Sequence, residues 1–312
     1  MKKTLIAAAI LLAAGAAQAQ FSLYGLLDMS YGKSVGSDAA GQKADFHSGG
    51  DNGSGEGNST SRFGLKGSAD VGSGMKVNFR LESNGITSDG DIPAPFFQRQ
   101  AWLGVSGSFG ELRLGRQDSV PFQTMIGYDY NGASNGVSSL GYAGAAIWAL
   151  RGRQSRSLQY ISPKIADALT LQLGFVPEGN TAGAKNVLSA GATYATGPLS
   201  VSAAYEGKRA TGADDFMSVA GSYDFGVAKV MLGVSDGGTN QKGVNVGFVA
   251  PIGSINVGAL IAHNSDTKGR AVEVFVNSEV LKNTYAYFEV GSANANTGVK
   301  GTGFALGAIY VF

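Results

Sequence analysis

The 312-residue sequence holds 48 glycines, only 7 prolines and no cysteine, and its 24 basic residues nearly balance 23 acidic ones. Disulfide and thiolate chemistry are excluded, the charge balance gives no support to nucleic-acid binding, and the glycine load disfavours ordinary helices. No collagen-like period accompanies the glycines, so strand and turn are the economical reading.

Residues 1–19 carry Lys2 and Lys3, an apolar run from Leu5 to Ala14, and a small-x-small site at Ala17-Gln18-Ala19. That order reads as a cleaved secretory signal peptide, with Gln20 as the first mature residue; the apolar run is short for a membrane anchor. Without Lys2 and Lys3 the balance becomes 22 basic against 23 acidic.

From there on, segments of roughly ten residues alternate apolar and polar side chains, the period of strands rather than helices. Five occupy about 21–32, 60–70, 75–86, 95–107 and 111–117, and eleven more run from 155–162 to 301–312, sixteen in all. In one of them Met75, Val77, Phe79 and Leu81 share a face opposite Lys76, Asn78, Arg80 and Glu82. Tight joints such as Gly197-Pro198 and Pro251-Ile252-Gly253 alternate with long polar ones such as Lys33 to Ser59. The uncharged stretch Gly243–Ala262 could be mistaken for a membrane helix, but the central Pro251-Ile252-Gly253 favours a hairpin.

Between Asp118 and Gln154 the alternation disappears, replaced by Pro121, the Gly/Asn/Ser-rich run Asn131–Gly136, several aromatics and the exit arginines Arg151, Arg153 and Arg156. A stretch of that length is either a functional loop or a misassignment. An even number of antiparallel strands, short turns at one end, longer loops at the other and wet faces throughout describe an outer-membrane barrel. Ten residues at about 3.3 Å, tilted about 45°, rise roughly 23 Å, near the ~25 Å apolar band of such barrels. Sixteen strands would enclose an aqueous lumen.

Six stretches then point to a family: Phe21-Ser-Leu-Tyr-Gly25, Ser61-Arg-Phe-Gly-Leu-Lys-Gly67, Arg99-Gln-Ala-Trp-Leu-Gly104, Leu114-Gly-Arg-Gln117, Leu158-Gln-Tyr-Ile-Ser-Pro163 and Ala308-Ile-Tyr-Val-Phe312. In that order they resemble the trimeric general porins of Gram-negative outer membranes, in the beta-proteobacterial branch. The resemblance implies an all-β, 16-stranded antiparallel transmembrane barrel over residues 20–312, with the third external loop, 118–152, folded into the lumen. It also implies a homotrimer in contact with outer-membrane lipid and lipopolysaccharide, an assembly-machinery signal ending on Phe312, and no cofactor.

Local alignment carries the family's basic wall onto Arg62, Arg99 and Arg153. Alternation independently turns Arg62 and Arg80 to the wet side, but places Arg99 with Leu103 and Val105 on the apolar side; only the resemblance or a local irregularity turns it inward. The loop departs from the family pattern, since Asp118 and Asp129 are its only acids and no acidic cluster follows Tyr128-Asp129-Tyr130. Gln159 also stands where many relatives have arginine. The resulting expectation is a general diffusion pore lined by Arg62, Arg80, Arg99, Arg153, Asp118 and Asp129, with a weak to moderate anion preference.

Rival functions have weaker support. A barrel hydrolase would need a base, and only His47 and His263, the latter near Asp266, could supply one. Asp51-Asn-Gly-Ser-Gly-Glu56 offers oxygens but not the spacing of a calcium loop, so neither catalytic nor metal sites are expected. A substrate-specific channel would differ by saturable block, and a non-conducting anchor or adhesin by a plugged lumen.

Overall fold

A computed structural model describes residues 20–36, 41, 43–51, 57–132, 135–143, 152–179, 182–294 and 299–312. The signal peptide expected at residues 1–19 lies outside them, as do Arg151 and most of Asp51–Glu56.

The first six strands are β1 (Gln20–Lys33), β2 (Asp45–Ser48), β3 (Arg62–Gly72), β4 (Met75–Glu82), β5 (Gln100–Gly107) and β6 (Gly110–Asp118). After a long connection come β7 (Arg153–Ile161), β8 (Leu169–Val176), β9 (Val187–Thr196), β10 (Leu199–Glu206), β11 (Phe216–Asp224) and β12 (Lys229–Asp236). The last five are β13 (Lys242–Ile252), β14 (Ile255–Asn264), β15 (Arg270–Leu281), β16 (Thr284–Asn294) and β17 (Lys300–Val311). Each strand pairs antiparallel with its neighbours, and the sixteen other than β2 close into one barrel among the described residues.

Closure falls on β1. Its first half pairs with β3, Gln20↔Ser68 to Leu26↔Arg62, and its second half with β17, Leu26↔Val311 to Lys33↔Phe304. The four-residue β2, inside what the sequence presents as one long polar loop, pairs with β1 above the point where β3 stops. It supplies partners that the backbone of Met29–Gly32 would otherwise lack.

Alternation sorts the faces as the sequence predicts. Leu103, Leu114, Leu188, Leu232 and Leu306 are all more than half exposed on the outer surface, an arrangement that suits hydrocarbon rather than water. Pairs such as Phe21–Phe79, Tyr223–Phe225 and Tyr310–Phe312, with ring centroids 6.5, 4.7 and 6.1 Å apart, form an aromatic belt at the short-turn end. The turns at that end use left-handed glycines, including Gly197 at φ 51° and Gly253 at φ 64°. Gly253 joins β13 to β14, so the uncharged stretch is a hairpin, and no helix among the described residues is long and apolar enough to cross a membrane.

The inner face is polar, and on one side it is covered by the connection between β6 and β7. Helix Val120–Met125 packs against β8–β11, the 3₁₀ turn Ile126–Tyr128 against β11 and β12, and helix Ser139–Ala143 against β14–β16. Pro121 sits in the first turn of the longer helix, where its missing N–H costs nothing, and Ser119 caps it by accepting from the Phe122 N–H at 3.2 Å. Met125, Val137 and Leu140 are buried against the wall. Two wall glycines permit that approach: a Cβ at Gly191 would lie 2.9 Å from Val120 Cγ1, and one at Gly291 2.8 Å from Val137 Cβ.

Candidate pore constriction

The arginine-bearing wall runs from β1 to β7, with the loop helix reaching it only at β7 through Phe122 and Gln123. Cross-strand register places Gly64, Glu82 and Gln100 side by side, with Lys66, Arg80 and Trp102 in the next row toward the short turns. Glu82 is 2% exposed and accepts from Tyr24 Oη at 2.8 Å, Arg80 Nη2 at 2.7 Å and Arg99 Nε at 2.7 Å. Arg62 Nε stands 3.7 Å from the same carboxylate, and its Nη1 donates to the Thr60 carbonyl at 2.7 Å. One acid therefore gathers three guanidinium groups from three different chain segments. A carboxylate with that many charged donors is held in one place, and the arginines are splayed around it.

A second acid anchors the other end of the row. Asp118, the last residue of β6, accepts from Gln100 Nε2 at 2.7 Å and forms an ion pair with Arg153 Nε at 3.2 Å. Arg153 also lies over the Phe122 ring, 5.9 Å from its centroid. Arg62, Arg99 and Arg153 are within electrostatic reach of one another. At the same level four guanidinium groups, including Arg80, thus face two carboxylates.

Arg99 shows why simple alternation misplaced it. β5 begins only at Gln100, so Arg99 belongs to the bend before the strand and has no fixed parity with Leu103. Arg62 and Arg80 share the polar face, as alternation indicates. Asp118 meets Arg153, whereas Asp129 is 8% exposed, accepts from the Asn131 N–H at 3.1 Å and lies within electrostatic reach of Glu273 and Glu289. Burial pushes its carboxyl up to about 7, opposed by backbone donors from Asn131 and Gly132. Phe312 exchanges backbone hydrogen bonds with Gly25 at 2.9 and 3.0 Å beside the barrel seam.

The loop is fixed by polar contacts that no local pattern announces. Thr124 Oγ1 donates to Gln172 Oε1 at 3.0 Å, Tyr128 Oη lies 2.8 Å from both Ser200 and Ser202, and Ser139 Oγ donates to Glu273 Oε1 at 3.0 Å. Asn131 Nδ2 donates to Glu289 Oε2 at 2.9 Å, and Asn58, from the first long connection, donates to the same oxygen at 2.8 Å and to the Asn131 carbonyl at 3.0 Å. Both connections are thereby tied to β16 at one point.

A family model described as Gram-negative porin matches residues 5–310, nearly the whole length. The chain belongs to this porin family. It is 35% identical over 247 residues to outer membrane porin protein 32 of Delftia acidovorans, covering 74% of this chain and 68% of that protein. An outer membrane porin of Bordetella pertussis is 32% identical over 299 residues, covering 81% and 74% of the two chains. Among solved structures, an anion-selective porin from Comamonas acidovorans superposes with a TM-score of 0.74 at 25% identity, over 94% of this chain and all of the other. This porin is accordingly a protein of the Gram-negative outer membrane, and its family consists of channels rather than enzymes.

The porin's two histidines fit that assignment. His47 lies 3.7 Å from Asp51, and His263 Nδ1 lies 3.1 Å from the Gly269 carbonyl rather than meeting Asp266. Asp51 accepts from the Ser48 and Ser88 N–H groups at 2.8 and 2.7 Å. No group of three or more potential metal ligands occurs among the described residues.

Proposed function

We propose that this porin forms a water-filled diffusion channel for ions and small hydrophilic solutes, with a weak to moderate preference for anions. The observation that supports this reading is the imbalance at one level of the lumen, where, among the described residues, Arg62, Arg80, Arg99 and Arg153 form ion pairs with Glu82 and Asp118 alone. Low-dielectric walls focus the field of a few fixed charges into the water between them. The anion-selective relative from Comamonas acidovorans points the same way.

In this reading residues 118–152 are the constriction loop, residues 1–19 direct export and are removed, and Phe312 ends the strand read by the barrel-assembly machinery. The exposed outer face meets lipid and lipopolysaccharide, and three copies associate. The deciding experiment is the reversal potential of the purified protein in a planar bilayer under a KCl gradient. The sign of Cl⁻ permeation is expected; absence of conductance, or a clear K⁺ preference, would overturn the assignment. A trimer band on unboiled gels that collapses on heating is the expected sign of the oligomer.

A further inference from the structure

Below the arginines, toward the short-turn end, the inner wall has a recess of about 420 Å³ whose lining includes Lys66, Ser68, Asn78, Arg80, Trp102 and Glu111. Its depth follows from the register. One row reads Lys66, Arg80, Trp102 and the next reads Ser68, Asn78, Gly104, Arg113. With no side chain at Gly104, Arg113 reaches Trp102, its guanidinium 4.5 Å from the indole centroid.

Most of the polar floor is already paired, Arg113 Nε excepted. Ser68 Oγ donates to Asn78 Oδ1 at 2.8 Å, and Asn78 Nδ2 donates to Ser106 Oγ at 2.9 Å and Glu111 Oε1 at 3.1 Å. Glu111 is further neutralised by Arg113 Nη2 at 2.6 Å. The upper edge is different. Lys66 Nζ rests 5.2 Å from the Tyr24 ring centroid and has no carboxylate partner among the described residues. Arg80 uses Nε and Nη2 on Tyr24 and Glu82, leaving Nη1 without a protein partner among them.

The recess therefore pairs an ammonium that lacks a carboxylate partner among the described residues with an indole two strands away, roughly 10 Å at the usual strand spacing, over a floor whose Ser68, Asn78 and Glu111 already bond to their neighbours. We infer that it is a binding subsite for small aromatic carboxylates, with the carboxylate at Lys66 and Arg80 and the ring against Trp102. An inorganic anion would use only the charged edge and a neutral aromatic only the indole. A benzoate-like anion uses both, since its length spans the gap. The inference rests on the channel reading above, because solutes reach this wall only through the lumen.

The test is block of single-channel KCl current by added potassium benzoate, cyclohexanecarboxylate and acetate, each normalised to the channel's own current in KCl alone. Benzoate should give saturable block, cyclohexanecarboxylate weaker block, and acetate none beyond its bulk conductivity. Lys66→Gln and Trp102→Leu should each weaken benzoate block about fivefold, the usual scale of one aromatic or cation contact. Superimposable curves for benzoate and acetate, or block untouched by both substitutions, would overturn the subsite while leaving the channel intact. Absence of KCl current would instead overturn the channel reading, and the subsite with it.

Discussion

Replacing Glu82 by Gln tests the charge argument in the direction opposite to removing an arginine. The side chain keeps its shape, but the carboxylate that gathers Arg62, Arg80 and Arg99 is gone, and the four guanidinium groups then face Asp118 alone. One unit charge about 6 Å from a permeating ion contributes roughly 0.7 kcal/mol in water, reduced to roughly 0.4 kcal/mol by a Debye length of about 10 Å at 0.1 M salt. The shift has opposite sign for the two ions. The Cl⁻/K⁺ permeability ratio should therefore rise by about 0.8 kcal/mol, or roughly fourfold. Reversal potential in a KCl gradient measures it directly. At 1 M salt the Debye length falls to about 3 Å and the change should shrink below about 1.5-fold. An unchanged or lower ratio at low salt would mean that Glu82 lies outside the zone that controls selectivity, and would refute the reasoning.

Other perturbations probe separate parts of the lumen. Arg153→Glu changes the local charge by two units, so the permeability ratio should fall on the order of tenfold and the reversal potential should change sign. Asp129→Asn tests the buried side of the loop by the pH dependence of urea unfolding. Because the folded-state value of about 7 exceeds the ordinary 3.8, the folded protein binds the extra proton between those limits, and stability declines as pH rises through that window. The variant should lose part of that decline, by at most a few kcal/mol; the difference from the parent is the readout, and parallel profiles would count against it. Gly291→Leu places a side chain where even a Cβ would lie 2.6 Å from the Val137 carbonyl. Overpacking of roughly 1–3 kcal/mol should push the loop inward and lower single-channel conductance, and an unaltered conductance would show that the loop yields elsewhere.

The barrel was legible in the sequence because each strand separates two solvents. Met75 to Glu82 alternates without fault, and β4 spans those residues. Legibility failed where the backbone departs from the ladder. Arg156 adopts φ 57°, and the register between β6 and β7 slips after Gly115, so β7 begins at Arg153 rather than near 155. Arg99 lacked a parity because its strand had not started. The four residues of β2 are too few to show a period inside a Gly/Asp-rich segment.

The site was legible in composition but less so in connection. The arginines were found from pattern and resemblance, whereas Glu82 was noticed only as a neighbour of Arg80. Its attachment to Arg99 and Arg62 depends on β3, β4 and the bend before β5 meeting in space. The position of Asp129 was not legible for a related reason. Its acidic neighbours Glu273 and Glu289 come from β15 and β16, more than 140 residues away, and neither charge nor spacing reveals which way a loop turns.

The pairing of β1 with both β3 and β17 has a consequence for how the molecule is made. Every other neighbouring pair of long strands is joined by a hairpin or a loop that begins and ends on the same side, so it can form as soon as its second member is available. The Leu26↔Val311 contact instead joins strands from the two ends of the barrel sequence, the largest loop-closure entropy among the strand pairs. Until β17 arrives, β1 and β16 both present unpaired edges open to the wrong partners. The nascent ring is thus exposed to aggregation for as long as its seam stays open, and its last strand determines when that period ends.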